Sequence, residues 1–331
     1  MKTVRFWIKN SRYHALPQSL IPALLAVFLA RCHEDFQALY AFIAVLGVTL
    51  GHLGVNLFDD FFDYLKKEQY FRDTMAKEGM RARVGKCAYL ISNQATLRQL
   101  FAACLVFCGL AVFVGIILYL RHGGTILFIS AIAAFLGIFY SAWPIRLSYH
   151  GLGELTVGIM FGPLLIHGVY YSACGHYNPA LWFLAVPIGL LATTIVFTHA
   201  IMDAEPDKKA GKVTFAVLLG NKWFMLTGLF SFVIIAFLLV LIGILTGFLQ
   251  KTYYMVFLSL PLAVGLFHLM YLYTIDPRQP IHRRFWMGPM NAWERIVSQN
   301  IEWFMIRWFV SRNLLVAFCM AVFLASLLSG N

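Results

Sequence analysis

Long apolar stretches separated by short polar ones dominate this chain. A bilayer is crossed by roughly 20 apolar residues in a helix. Nine stretches approach or exceed that length, and they lie at 16–30, 38–62, 97–119, 124–143, 152–172, 180–202, 222–248, 252–273 and 309–329. The pattern predicts an all-α, polytopic membrane protein. We expect nine transmembrane helices around a central cavity, forming one domain over residues 1–331.

The first apolar stretch follows basic residues, as in a signal peptide. Cleavage before Cys32 in the manner of a lipoprotein needs a small residue at position 31, where this chain has Arg31. We therefore expect 16–30 to remain as the first helix.

Composition agrees with a membrane protein. Hydrophobic residues make up 60 % of the chain and charged residues only 12 %, whereas soluble domains carry roughly 25 % charged residues. The six Cys form no C-x-x-C pair, so their spacing indicates neither a disulfide framework nor a zinc site.

Positive charge indicates the orientation. If the N-terminus is inside, every Lys and Arg except Arg31, Arg121 and Lys251 falls in an inside segment or near the inside end of an apolar stretch. The positive-inside rule then places the N-terminus in the cytoplasm and the C-terminus outside, in what we expect to be a bacterial inner membrane. We expect the central cavity and the active site to face the cytoplasm. The net charge of +11 suits anionic lipid and a pyrophosphate ligand, so it requires no nucleic acid.

Two inside segments are unusually long and basic. Segment 64–96 is expected to be a cytoplasmic loop over the functional site. Segment 276–308 mixes Arg with Trp, which predicts a cytoplasmic or interfacial segment, such as an amphipathic helix lying on the membrane surface.

Two acidic clusters stand out from the apolar background. The first is Asp59, Asp60 and Asp63 after Asn56, and the second is Asp203-x-x-x-Asp207. A carboxylate near lipid is costly and usually has a function. On a helix, Asn56, Asp60 and Asp63 share one face. Mg²⁺ binds one or two carboxylates while keeping waters and substrate phosphate oxygens, so two facing clusters could hold two Mg²⁺ ions and one diphosphate. The alternative is that these carboxylates only cap two helices at the interface.

Basic side chains near the clusters are candidates for contacts with the diphosphate. They are Arg83, Lys86 and Lys212.

A third polar stretch, 140–155, joins two predicted helices. Arg146 is the only basic residue in it, and Glu154 lies in the first turn of the following helix, where the helix dipole favours an anion. The stretch 140–155 is either a tight turn followed by a capped helix or one wall of an acceptor pocket. His199 lies one turn before Asp203 and is either a substrate contact or a hydrogen-bonded structural residue.

Together these motifs resemble the UbiA-type intramembrane prenyltransferases, and the resemblance covers about residues 12–273. Asp59-Asp60-Phe61-Phe62-Asp63 resembles the first Asp motif of that family. Asp203-x-x-x-Asp207 followed by Gly211-Lys212-x-Thr214 resembles the second. The stretch 140–155 is similar to the helix 4–5 connection of the menaquinone branch, the 1,4-dihydroxy-2-naphthoate polyprenyltransferases.

The resemblance implies Mg²⁺-dependent transfer of a polyprenyl group from its diphosphate to an aromatic acceptor. It implies that Asp60, Asp63, Asp203 and Asp207 hold the metal, with Asp59 and Asn56 in support. Tyr140 would face the allylic cation. Further substrate contacts are expected from Arg83, Lys86, Arg146, Glu154, His199 and Lys212.

Other functions remain open at this point. The acceptor could be a hydroxybenzoate, a haem or a glycerol-phosphate lipid, or the enzyme could cyclise its isoprenoid. The chain could also be a transporter or a cation-binding carrier. Transporter sites usually lie near the bilayer midplane, whereas both acidic clusters fall at predicted helix ends. The oligomeric state and the prenyl chain length are not indicated by the sequence.

Overall fold

The computed structural model describes residues 2–65, 87–277 and 279–329, and within these ranges it contains helices and turns but no strand. In chain order the helices are α1 Lys2–Asn10, α2 Pro17–Ala30, α3 Ala38–Leu65, α4 Ala88–Ile91, α5 Leu97–His122, α6 Gly124–Phe139, α7 Gly153–Cys174, α8 Pro179–Met202, α9 Ala204–Lys209, α10 Phe215–Leu219, α11 Lys222–Leu245, α12 Lys251–Ile275, α13 Trp293–Ser298 and α14 Glu302–Leu328. The all-helical prediction is confirmed.

Local sequence explains several helix ends. Pro17 opens α2, where its missing N–H costs no hydrogen bond. Thr96 and Gln99 form a capping box at the start of α5. Gly175 adopts the left-handed conformation and ends α7. Pro163 lies in a π-helical turn, Met160–Leu164, within α7, because proline cannot donate the usual helical hydrogen bond.

Seven of the described helices are long and apolar enough to cross a membrane, namely α3, α5, α7, α8, α11, α12 and α14. Helices α2 and α6 are apolar but shorter. All nine predicted apolar stretches are therefore helical, although the two short helices do not meet the length expected of a span. The number of crossings stays a prediction.

The last helix begins earlier than the predicted span 309–329. Helix α14 starts at Glu302, so Arg307 lies inside it. Arg307 is fully buried, and its Nε donates to the Leu269 carbonyl oxygen at 2.9 Å while its guanidinium lies over the Tyr273 ring. With a further hydrogen bond from Nη1 to the Trp303 carbonyl oxygen, these contacts offset part of the cost of burying the charge, while Nη2 has no hydrogen-bond partner among the described residues. The described part of segment 276–308 contains only the 3₁₀ turn Phe285–Met287 and the short helix α13 before α14 begins, so it is not one continuous helix. Its place at the membrane surface stays a prediction.

Helix α8 lies at the centre of the bundle. It packs against α7, α11 and α14, and 67 % of its apolar window is buried, against 22 % for α3 and α5. Helices α3 and α5 pack on each other at the periphery. A cavity lies between the α3–α5–α6 side and the α7–α8 side.

Candidate active site

The cavity has a volume of about 980 Å³ and is polar at one end and apolar along the rest. Its polar end lies where α3 and α8 finish, and we call this the carboxylate end. The predicted site residues that line it are Asn56, Asp59, Asp60, Tyr140, Glu154, His199, Asp207 and Lys212.

The first acidic cluster is held by side chains from distant parts of the chain. Arg12, in the turn after α1, makes ion pairs with Asp59 (3.0 Å) and with Asp60. The Ser141 hydroxyl donates to Asp59 Oδ1 at 2.5 Å, and the Tyr89 hydroxyl donates to Asp60 Oδ2 at 3.1 Å. These contacts fix the positions of both carboxylates at the cavity wall.

Asp63 lies one turn further along α3 and is buried. It accepts a hydrogen bond of 2.5 Å from the Tyr149 hydroxyl. The Lys212 ammonium lies over the same tyrosine ring, 5.4 Å from its centroid. Tyr149 therefore connects the first acidic cluster to the loop that follows the second.

The second acidic cluster surrounds the end of α8. The Asp203 carboxylate lies 3.0 Å from His199 Nε2, one helical turn earlier. The Lys212 backbone N–H donates to the Asp207 carbonyl oxygen at 2.9 Å. This turn brings the Lys212 side chain back to the cavity, which Asp207 also lines.

The connection 140–152 and the loop 211–215 pack on each other. The Gly151 N–H donates to the Val213 carbonyl oxygen at 2.7 Å. The buried Glu154 carboxylate accepts from the Phe215 N–H at 3.2 Å. Glu154 thus lies at the carboxylate end, close enough to Lys212 and Asp207 for electrostatic interaction.

Tyr140 caps α6 and faces the same space. Tyr89 lies outside the predicted spans, and burial, followed by the charge of Asp60, raises the pKa of its phenol. Tyr89 therefore stays protonated near neutral pH and serves as a neutral donor to Asp60.

The structure does not place every predicted site residue at the cavity wall. Asp63 and Asp203 lie just behind it, in contact with Tyr149 and His199. Arg146 is buried over the Tyr149 ring, 4.4 Å from its centroid, so it supports the wall instead of lining it. Arg83 and Lys86 fall outside the described residues.

Sequence reasoning missed four residues that hold the carboxylates: Arg12, Tyr89, Ser141 and Tyr149. Ser141 and Tyr149 lie in the connection that the sequence had marked, but nothing in their spacing relates them to α3. Arg12 was visible only as one of several basic residues before the first helix.

The remainder of the cavity is apolar and runs along α3. Its lining includes Asn56 near the carboxylates and Gly51, Gly47 and Ala44 further away. At about 1.5 Å per helical residue, Gly47 lies about 18 Å from Asp59. Such a wall suits a long hydrocarbon chain whose charged head lies at the carboxylate end.

Comparison with known proteins identifies the family. The profile of the UbiA prenyltransferase family matches residues 19–294. This chain belongs to the UbiA prenyltransferase family. It is accordingly a membrane prenyltransferase, and the transporter alternative is set aside.

Relatives and solved structures agree with this assignment. A 1,4-dihydroxy-2-naphthoate octaprenyltransferase of Bacillus subtilis (strain 168) is 26 % identical over 252 residues, covering 76 % of this chain and 77 % of the relative. A structure of a UbiA homolog from Archaeoglobus fulgidus bound to GPP and Mg²⁺ has a TM-score of 0.58 at 16 % identity, covering 96 % of this chain and 99 % of that one. A structure from work on digeranylgeranylglyceryl phosphate synthase has a TM-score of 0.65 at 14 % identity, covering 98 % of this chain and 99 % of that one. At these identities the structures establish the shared fold.

The donor set at the carboxylate end fits a hard divalent cation. Asp59, Asp60 and Asp207 line the cavity, and the buried Asp63 and Asp203 lie beside them. Carboxylate oxygens are the ligands that Mg²⁺ prefers, in combination with waters and phosphate oxygens. The Cys87 thiol also lines the cavity and donates to the Asp60 backbone carbonyl oxygen at 3.4 Å, but the charged oxygen donors are all carboxylates, which favour a hard metal.

Proposed function

We propose that this enzyme transfers a polyprenyl group from a polyprenyl diphosphate to 1,4-dihydroxy-2-naphthoate in menaquinone biosynthesis. The observation that carries the proposal is the single cavity that joins carboxylates and Lys212 at one end to a long apolar wall along α3. The naphthoate acceptor is suggested by the Bacillus relative and by the resemblance of 140–155 to the menaquinone branch.

In this proposal Asp59, Asp60, Asp63, Asp203 and Asp207 hold Mg²⁺. When bound, the cation neutralises charge that builds on the departing diphosphate. Lys212 contacts the phosphate oxygens, together with Arg83 and Lys86 from the basic segment 64–96, which would lie over the site. Asn56 supports the carboxylates, and Arg146 positions Tyr149.

The organic step breaks the bond between the prenyl C1 and the diphosphate oxygen. The ring carbon of the acceptor that carries the carboxylate forms a new bond to C1 as pyrophosphate leaves. That carbon then loses the carboxylate as CO₂, and the electron pair of the broken bond restores the aromatic ring of the prenylated naphthoquinol. Tyr140 offers an aromatic face to the allylic cation, since rings attract cations over their faces. Glu154 and His199 border the space for the acceptor. The apolar wall keeps water from the cation.

We also propose how the protein is placed. Nine membrane crossings, with the N-terminus inside, put the carboxylate end in the cytoplasm of a bacterial inner membrane, next to the basic segments 64–96 and 276–308. This arrangement brings the site to water-soluble acceptor while the prenyl tail stays at membrane depth.

An acceptor panel tests the proposal. Purified enzyme in detergent receives Mg²⁺, a labelled polyprenyl diphosphate and one of three acceptors: 1,4-dihydroxy-2-naphthoate, 4-hydroxybenzoate or a glycerol-phosphate lipid. We expect a prenylated product with the naphthoate alone. Product with another acceptor, and none with the naphthoate, would overturn the acceptor assignment while keeping the family chemistry.

A further inference from the structure

Three side chains with metal-binding atoms meet at the end of the bundle opposite the carboxylates. His33 and Asp35 lie in the turn between α2 and α3, and His176 lies between α7 and α8. His176 Nε2 is 2.8 Å from Asp35 Oδ2, and His33 Nδ1 is 3.8 Å from the same oxygen. One ligand atom from each residue lies within 4.8 Å of the other two.

The two turns are joined by backbone as well as by these side chains. The Gln37 N–H donates to the Ala173 carbonyl oxygen at 2.8 Å. The His33 and His176 rings stack with centroids 4.2 Å apart. The Asp35 N–H donates to His33 Nδ1 at 3.2 Å, which aligns that ring with the carboxylate. Binding of an ion at Nδ1 would exchange this long hydrogen bond for a metal bond.

This cluster is separate from the prenyltransferase site. Ala38 begins α3 and Asp60 lies near its end, so about 33 Å of helix lies between the two groups. The side chains of His33, Asp35 and His176 are 27 %, 55 % and 53 % exposed, which leaves them accessible to an ion from solution.

We propose that His33, Asp35 and His176 form a binding site for a divalent transition-metal ion, Zn²⁺, that clamps the two turns together. Two imidazoles and one carboxylate are a common three-ligand set for Zn²⁺, with water in the fourth position. Tetrahedral ligands about 2.0–2.1 Å from zinc lie roughly 3.3 Å from one another, so only small side-chain movements are needed. Imidazole ligands favour zinc over Mg²⁺, which prefers oxygen.

Zinc titration of the purified full chain tests the site, using calorimetry in detergent with Mg²⁺ in excess. We expect one Zn²⁺ per chain, with affinity reduced at least tenfold by His33→Ala or His176→Ala. His282→Ala removes an exposed histidine elsewhere and should bind zinc as the wild type does. Asp60→Asn should also keep this binding, which separates it from any zinc held at the carboxylate end.

Retained prenyl transfer and an unchanged gel-filtration profile would show that the His33 and His176 variants are folded. Zinc binding that persists in both variants would overturn the proposal. So would binding lost only in Asp60→Asn, or no saturable binding in the wild type, which would leave the cluster as a His–Asp ion pair.

Discussion

The two acidic clusters carry the same side chains but are positioned in different ways. Asp59, Asp60 and Asp63 contact Arg12, Tyr89, Ser141 and Tyr149, residues separated from them by 29 to 86 positions in the chain. Asp203 contacts His199 one turn away, and Asp207 starts a turn closed by Lys212. Distant parts of the chain thus hold the first cluster, whereas the second also has contacts within its own short segment. A change at Tyr149 should therefore disturb its cluster more than a change at His199 disturbs the other.

The largest expected effect is the loss of one carboxylate from either cluster. Asp60→Asn and Asp207→Asn keep the side-chain shape but remove the charge that a cation needs. We expect prenyl transfer to fall by roughly 10²–10³-fold in each, as for other losses of transition-state charge stabilisation. Glu294→Gln, on the exposed face of α13, is the control. Full activity in either Asn variant, measured with labelled donor, would contradict the metal assignment.

The next largest effect distinguishes the two acidic clusters. Tyr149→Phe removes the hydrogen bond that the Tyr149 hydroxyl donates to the Asp63 carboxylate, 86 positions earlier in the chain. Hydrogen bonds to charged groups are worth about 1.5–3 kcal/mol, so we expect roughly tenfold to hundredfold lower turnover. His199→Gln keeps a donor near Asp203 and should cost about threefold.

The matched control is Tyr177→Phe, which removes an exposed phenol at the opposite end and should leave turnover unchanged. A larger loss in His199→Gln than in Tyr149→Phe, with both proteins folded, would break the contrast between the two clusters.

A smaller effect is expected at Tyr140. If its ring stabilises the allylic cation, Tyr140→Ala should lower turnover about tenfold, in line with about 0.5–2 kcal/mol for a cation over an aromatic face. Because Tyr140→Phe keeps the aromatic ring, its turnover should stay within about threefold of wild type. Equal losses in both variants across pH 6–9 would assign the effect to the hydroxyl instead.

The smallest effect on the reacting groups should come from the apolar wall. Gly115→Phe fills the cavity far from the carboxylates, so it should block long donors while a two-isoprene donor still reacts. Gly109→Phe is on the same helix but has open space beside it and does not line the cavity. Relative rates with donors of two and eight isoprene units measure the selectivity, and an unchanged ratio in Gly115→Phe would contradict the assigned path of the tail.

The sequence indicated the helices and both acidic clusters because each depends on local pattern. Apolar runs of 15 residues or more predict the helices, and the Asp spacing is visible within about one helical turn. The sequence could not show that Arg12, Tyr89 and Tyr149 reach α3, since those contacts exist only after the bundle packs. It also placed the start of α14 too late: the apolar run begins at 309, whereas the helix begins at Glu302 and includes Arg307, whose contacts with Leu269 and Tyr273 form only in the packed bundle.

Pyrophosphate release coupled to prenyl transfer tests most directly whether the two acidic clusters form one metal-dependent site. Wild-type enzyme, Asp60→Asn and Asp207→Asn are each incubated with polyprenyl diphosphate and 1,4-dihydroxy-2-naphthoate, with Mg²⁺ or with EDTA. We expect equal amounts of pyrophosphate and prenylated product from the wild type with Mg²⁺. We expect neither with EDTA, and a severe loss of both in the two variants. Transfer that continues in EDTA, or in either folded variant at the wild-type rate, would contradict a shared site built from both acidic clusters.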